Sequence, residues 1–160
     1  MIRFWTWMWM GLVIGVSFVA TPVKFTAESL TRPVALDVGR ATFQLLNRIE
    51  WVLVIGLVAL VWRTLRTSAD HRFDHVLVAL VTLIVISQTV WLLPALNDRV
   101  AMIIAGNEPP PSMLHTVFGV LEVTKVLTLG AIGWRSGRRV GAVQRHQKDR
   151  LVRPEAFPSR

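Results

Sequence analysis

No cysteine occurs among the 160 residues. Structural disulfides, Cys-ligated zinc, iron–sulfur clusters and thiol nucleophiles are therefore excluded, and cysteine usage says nothing about redox compartment. Glycine-rich phosphate loops are also missing. Ser17, Ser87 and Ser112 have no histidine at a defined distance, so no hydrolase triad can be assembled. Acidic residues are scarce, 10 against 18 Lys and Arg, which leaves a formal charge of +8. That excess does not point to nucleic acid, because 8 of the basic residues follow Trp134, in a tail behind an apolar stretch. The tail has no aromatic interleaving and no folded module, so anionic lipid is its expected partner. No internal repeat is visible.

Long apolar runs fill most of the chain instead. Hydrophobic residues make up 52% of it and the mean hydropathy is +0.48, well above a soluble domain. A hydrocarbon core about 30 Å thick needs about 20 helical residues, and four stretches meet that length: 4–23, 43–62, 75–94 and 114–134. The expected fold is all-α, a four-span membrane bundle at 1–134 followed by a basic, partly ordered tail at 135–160. Phe18 stands two before Ala20 and spoils a small-x-small cleavage site, so the first run is expected to be an uncleaved span.

Arg3, Arg63, Arg66, Arg72 and the basic tail gather on one side, against Lys24, Arg32, Arg40 and Arg99 on the other. The positive-inside rule then puts both termini in the cytoplasm of a cell with this protein in its inner membrane. Trp5, Trp7 and Trp9 are expected to anchor the first span at that interface. Gly11 and Gly15 offer a small face for close packing of the first helix. Pro33 can open a helical extension ahead of the second span. The third helix should continue past a kink at Pro94 and break at Gly106 and the prolines 109–111, with Ser112 as N-cap of the fourth.

Three titratable residues stand inside the fourth span, in "MLHTVFGVLEVTKVLTLGAIGW": His115, Glu122 and Lys125. Counting at 1.5 Å per residue from the cytoplasmic ends, Glu122, Glu50 and Ser17 each lie about 18 Å deep, and Gln88 about 20 Å. Arg48 and Lys125 overlap the same heights. Charges at such depth are expensive, so Arg48, Glu50, Gln88, Glu122 and Lys125 are expected to face the bundle interior as one buried polar layer. Glu122 and Lys125, three apart, share a helical face.

That layer admits two functional readings from different classes. It could serve a proton, ion or small solute, or it could be an ion-pair network fixing helix register in a non-catalytic scaffold or assembly subunit. A water-filled cavity at Glu50 or Glu122 would favour the first, and a dry pair the second. A membrane redox role comes third. His75 and His115 lie at opposite faces, which excludes a bis-His haem, although one His with Lys or Met stays open. Met102, Met113 and His115 are soft ligands that would suit Cu(I) if the outer loop brought them together. No cofactor is required by the sequence. A homodimer is a reasonable assembly, since four spans without an inverted repeat are few for alternating access.

The stretches "GLVIGVSFVATPVKF", "RPVALDVGRATFQLLNRIEW", "LPALNDR" and "LHTVFGVLEVTKVLTL" resemble four-span bacterial membrane proteins of unknown function related to eukaryotic transmembrane protein 205. Pro22 to Phe25 matches their Pro-x-x-Phe-like step. The resemblance covers about residues 8–134 and implies a small helical membrane bundle with no reaction attached. A fainter similarity to copper-resistance and haem-associated four-helix families implies metal or haem, but several span histidines of those families have no counterpart here.

Overall fold

The computed structural model describes residues 1–64 and 72–152, with the side chains of Thr64 and of 139–152 excepted. It is all-helical, and four helical segments, Ile2–Thr26, Arg32–Arg63, Arg72–Ile104 and Leu114–Arg138, are long and apolar enough to cross a membrane. They run alternately up and down. One end of the bundle, here the near end, carries Met1, Thr64 and Arg72; the far end carries the two other connections. The first span lies against the second and fourth, and the third closes the ring against the same two.

The first span is not one regular helix. It begins as α1 (Ile2–Val13), widens into a π segment at Ile14–Ala20, and resumes in the short α2 (Thr21–Val23) and a 3₁₀ turn at Lys24–Thr26. The third span repeats the device: α4 (Arg72–Ser87), a π segment at Gln88–Leu92, then α5 (Leu93–Ile104). Proline explains both. Pro22 and Pro94 lack an N–H, and each ring would strike the carbonyl four residues earlier, Phe18 and Val90, which lie inside the π segments. Widening the turn relieves that clash. The N–H of Thr21 bonds the carbonyl of Val16, and that of Leu93 the carbonyl of Gln88, both five residues back.

The other two spans are uninterrupted. α3 (Arg32–Thr64) holds Pro33 at its start, where a missing N–H costs nothing, and its first turns form the expected extension at the far end. α5 ends in a Schellman arrangement: Gly106, with φ of 82°, donates to Ile103 and Asn107 donates to Met102. α6 (Leu114–Val152) starts where the fourth apolar stretch begins, but its cap differs. Met113 takes the capping place expected of Ser112, its carbonyl accepting from Val117. The helix then runs on through Arg135 to Val152, about 58 Å in all at 1.5 Å per residue, about twice the hydrocarbon thickness. Arg66 and the tail residues 153–160 lie outside the described residues.

Two apolar cores sandwich a polar level. At the near end Trp9, Val13, Leu57, Val81, Val85 and Leu129 belong to one cluster. At the far end Leu92, Leu93 and Phe118 form another, with Phe43 and Phe118 ring to edge at 4.9 Å. The near end is clasped by Arg135, which donates to Asp74 at 2.9 Å and stacks over Phe73.

Candidate functional site: a charged layer at mid-bundle

Lys125 is the centre of the layer and has no exposed surface. Its Nζ lies 2.6 Å from Glu50 Oε1 and 2.7 Å from Glu122 Oε1. Glu122 projects from the same face of α6, one turn earlier, and Glu50 from mid-α3. Each carboxylate then takes a neutral donor from a proline-widened or neighbouring turn. Gln88, first residue of the second π segment, donates through Nε2 to Glu122 Oε1 at 2.7 Å, and Ser17, inside the first π segment, donates to Glu122 Oε2 at 2.7 Å. The Trp9 indole donates to Glu50 Oε1 at 3.0 Å. All four spans therefore contribute, and Glu50, Gln88, Glu122 and Lys125 are buried together.

Two placements depart from the sequence expectation. Arg48 is exposed on the outer face of α3 and forms no ion pair among the described residues, so it is not part of the layer. Two residues from Glu50 is a rotation of about 200°, which turns Arg48 to the opposite side of the helix. Trp9 is fully buried rather than anchoring an interface, and Trp5 donates its indole N–H to the Leu53 carbonyl at 2.9 Å. The sequence carries a cue for Trp9: it stands four before Val13 and eight before Ser17, on one helical face. Gly11 and Gly15 face outward with nothing near them; the tight contacts lie at Gly56, against Trp5, and Gly133, against Thr6 and Trp7.

A second small network borders the first. Trp51 donates to Thr89 Oγ1 at 3.0 Å, and Thr89 lies 3.0 Å from Asn47 Oδ1. Asn47 Nδ2 and Gln88 Oε1 are buried without a hydrogen-bond partner among the described residues. Each is costly as it stands, of order 1–3 kcal/mol, and each offers a hydrogen bond to any water or proton carrier that reaches it.

Two cavities approach the layer from the far end. A void of about 60 Å³ touches Ser17, Phe43, His115, Phe118 and Glu122. Thr21, Phe43, His115 and Phe118 also line a larger, half-open cavity of about 260 Å³ at the far end. The two share walls, so they form a stepped approach to Glu122. Toward the near end the layer is backed by the packed apolar cluster of Trp9, Leu57 and Leu129.

The metal and haem candidates lie at the two ends of the bundle, Met102, Met113 and His115 at the far end and His75 at the near end. Met102 and Met113 are exposed, His115 lines both cavities, and His75 is exposed at the other end. No group of three His, Cys, Asp or Glu residues suited to a metal occurs among the described residues.

No curated protein and no solved structure matches the sequence. A family model described as a domain of unknown function (DUF4149) does match, over residues 5–102. That segment takes in Ser17, Trp9, Glu50 and Gln88 but stops short of Glu122 and Lys125. Covering more than half of the chain, the match assigns it: the protein belongs to the DUF4149 family of uncharacterised domains.

Proposed function

We propose that this multi-pass membrane protein binds and relays a proton at the Lys125 layer, from a bacterial inner membrane in which both termini face the cytoplasm. On that orientation the far end is external. The similarity to four-span proteins related to eukaryotic transmembrane protein 205 belongs to the same proposal. One observation carries the functional part: the stepped cavity that meets Glu122 and Ser17 from the far end and stops there. A void of that size holds a water, and Ser17, His115 and Glu122 give it polar partners.

Charge arithmetic supports a proton as the species held. One ammonium faces two carboxyl groups, so the layer is neutral when one carboxyl carries a proton and carries excess charge when neither does. Uncompensated charge in low dielectric costs several kcal/mol. A half-turn of the Gln88 amide would present its unpartnered Oε1 to a protonated Glu122. Onward release requires the near half to open.

The scaffold reading is favoured by the packed apolar near-end cluster behind the layer, beside which the layer would serve simply to fix register. Proton flux separates the two. Proteoliposomes loaded with a pH-sensitive dye and driven by a potassium diffusion potential should acidify faster with the parent than without protein, and Glu122→Gln should abolish the difference. Flux unchanged in that variant would refute the relay.

A further inference from the structure

The far-end cavity has a composition that the proton relay does not use. Its walls are apolar, with Phe25, Phe43, Phe118, Leu93 and Val100 among them, yet Lys24, Arg40 and Arg99 line it and no carboxylate does. The two arginines are engaged: Arg40 pairs with Asp37 at 2.5 Å, and Arg99 donates to the Pro110 carbonyl at 2.6 Å. Lys24 is not. Its Nζ lies 5.0 Å from the Phe25 ring centre and 5.9 Å from that of Phe43, and neither a carboxylate nor a carbonyl takes its protons among the described residues.

The ammonium also lies directly against Gly39. Gly39 on α3 lets it approach so closely that a Cβ there would stand 2.0 Å from Nζ. Any side chain at 39 would displace it. A half-buried cation beside two aromatic rings in a largely apolar cavity, with no carboxylate partner among the described residues, suits an anionic ligand.

We propose that this cavity is a binding site for a small apolar monocarboxylate, its carboxylate on Lys24 and its body among the phenylalanines. Size sets the class. A cavity of about 150 Å³ accepts benzene, so about 260 Å³ suits roughly ten non-hydrogen atoms, an aryl or medium-chain acid. The carboxylate is favoured over a permanently charged anion because the cavity adjoins the void that reaches Glu122, the group that the relay proposed above would use to neutralise it. This names the solute class of the route proposed above and rests on that reading for its transport meaning, but the binding itself is measured separately.

The test uses the full chain in phosphatidylcholine nanodiscs titrated with benzoate, with benzamide as the uncharged counterpart. Benzoate should saturate one site. Benzamide, Lys24→Met and Gly39→Ala should each weaken binding by about tenfold or more, as expected for loss of a charge-assisted contact of about 1.5–3 kcal/mol. Lys24→Arg should stay within a few-fold of the parent. Gly39→Ala keeps the lysine and moves it, which guards against a Lys24→Met variant that folds badly. Arg48→Gln, at an exposed residue outside both the layer and the cavity, should bind benzoate like the parent, and because binding is titrated apart from flux, a failed relay shows in the flux assay while benzoate binding stays intact. Absent benzoate binding, equal affinity for benzamide, or unaltered binding in both Lys24→Met and Gly39→Ala would overturn the proposal. So would displacement of benzoate by phosphatidylglycerol added to the nanodiscs, which would assign the site to a lipid phosphodiester.

Discussion

Lys125→Met keeps an unbranched stem of similar length and removes only the ammonium. Glu50 and Glu122, each within 2.7 Å of Nζ, are then left together without a cation. At least one further carboxyl must be neutralised. Removing one member of a buried pair costs about 3–5 kcal/mol by mutational experience, and about 3–4 kcal/mol is a several-hundred-fold loss in the ratio of folded to unfolded protein. The sign with pH is definite. The variant needs a proton that the solution supplies more readily as pH falls, so its deficit should shrink from about pH 7 toward about pH 5 and grow above neutrality. Thermal unfolding in mild detergent, followed by tryptophan fluorescence at several pH values, reads both effects. Glu122→Gln alone leaves Lys125 and Glu50 matched and should unfold within about 1 kcal/mol of the parent. Adding Lys125→Met to it strands Glu50, so recovery should be partial and become complete only when Glu50→Gln is added too. A Lys125→Met protein as stable as the parent at neutral pH would refute the reasoning.

Other expectations come from the packing and the charge asymmetry. A reporter fused after Arg160 should read cytoplasmic and one inserted near Asn107 external; reversed signals would overturn the orientation. Gly56→Ala would put a Cβ 2.3 Å from the Trp5 ring and should lower stability by about 1–3 kcal/mol, while Gly11→Ala and Gly15→Ala, which meet nothing, should leave the unfolding temperature of the monomer unchanged. Arg48→Gln should retain folding and proton flux, because Arg48 stands outside the layer; loss of flux with folding intact would return it to the site.

Depth is legible in the sequence, and rotation is not. Counting along each span places Ser17, Glu50, Gln88 and Glu122 at one height, and the structure links Glu122 to Ser17 and Gln88 and, through Lys125, to Glu50. Height alone also admits Arg48, which the turn of α3 sends outward. Trp9 hides among residues that suit an interface, since an indole buries area and donates one hydrogen bond in either setting. The far-end cavity is invisible in the sequence for another reason. Lys24, Gly39 and Phe118 come from three spans, and no local spacing records their approach.

The two prolines connect the chemistry to the backbone. A regular helix through residue 22 or 94 would leave the carbonyl of Phe18 or Val90 without its donor and force the proline ring against it; the π segments avoid that clash by adding a residue to the turn. The added residue rotates the downstream part of the helix, and in each case a polar group that bonds Glu122 sits on the widened turn: Ser17 in the first, Gln88 at the start of the second. A π turn differs from an α turn by a one-residue change of hydrogen-bond register, a small step between discrete packings rather than a continuous deformation. Ser17 and Gln88 therefore hold Glu122 from the two places where the bundle's backbone has an alternative register. Pro94→Ala relieves the clash that favours the wide turn. It should let α4 and α5 join as a regular helix, rotate Gln88 or the residues beyond it by about 100°, and break either its bond to Glu122 or the packing of Leu92 and Leu93. Loss of proton flux in a Pro94→Ala protein that remains folded would tie the relay to the wide turn, and flux equal to the parent would show that the layer works without it.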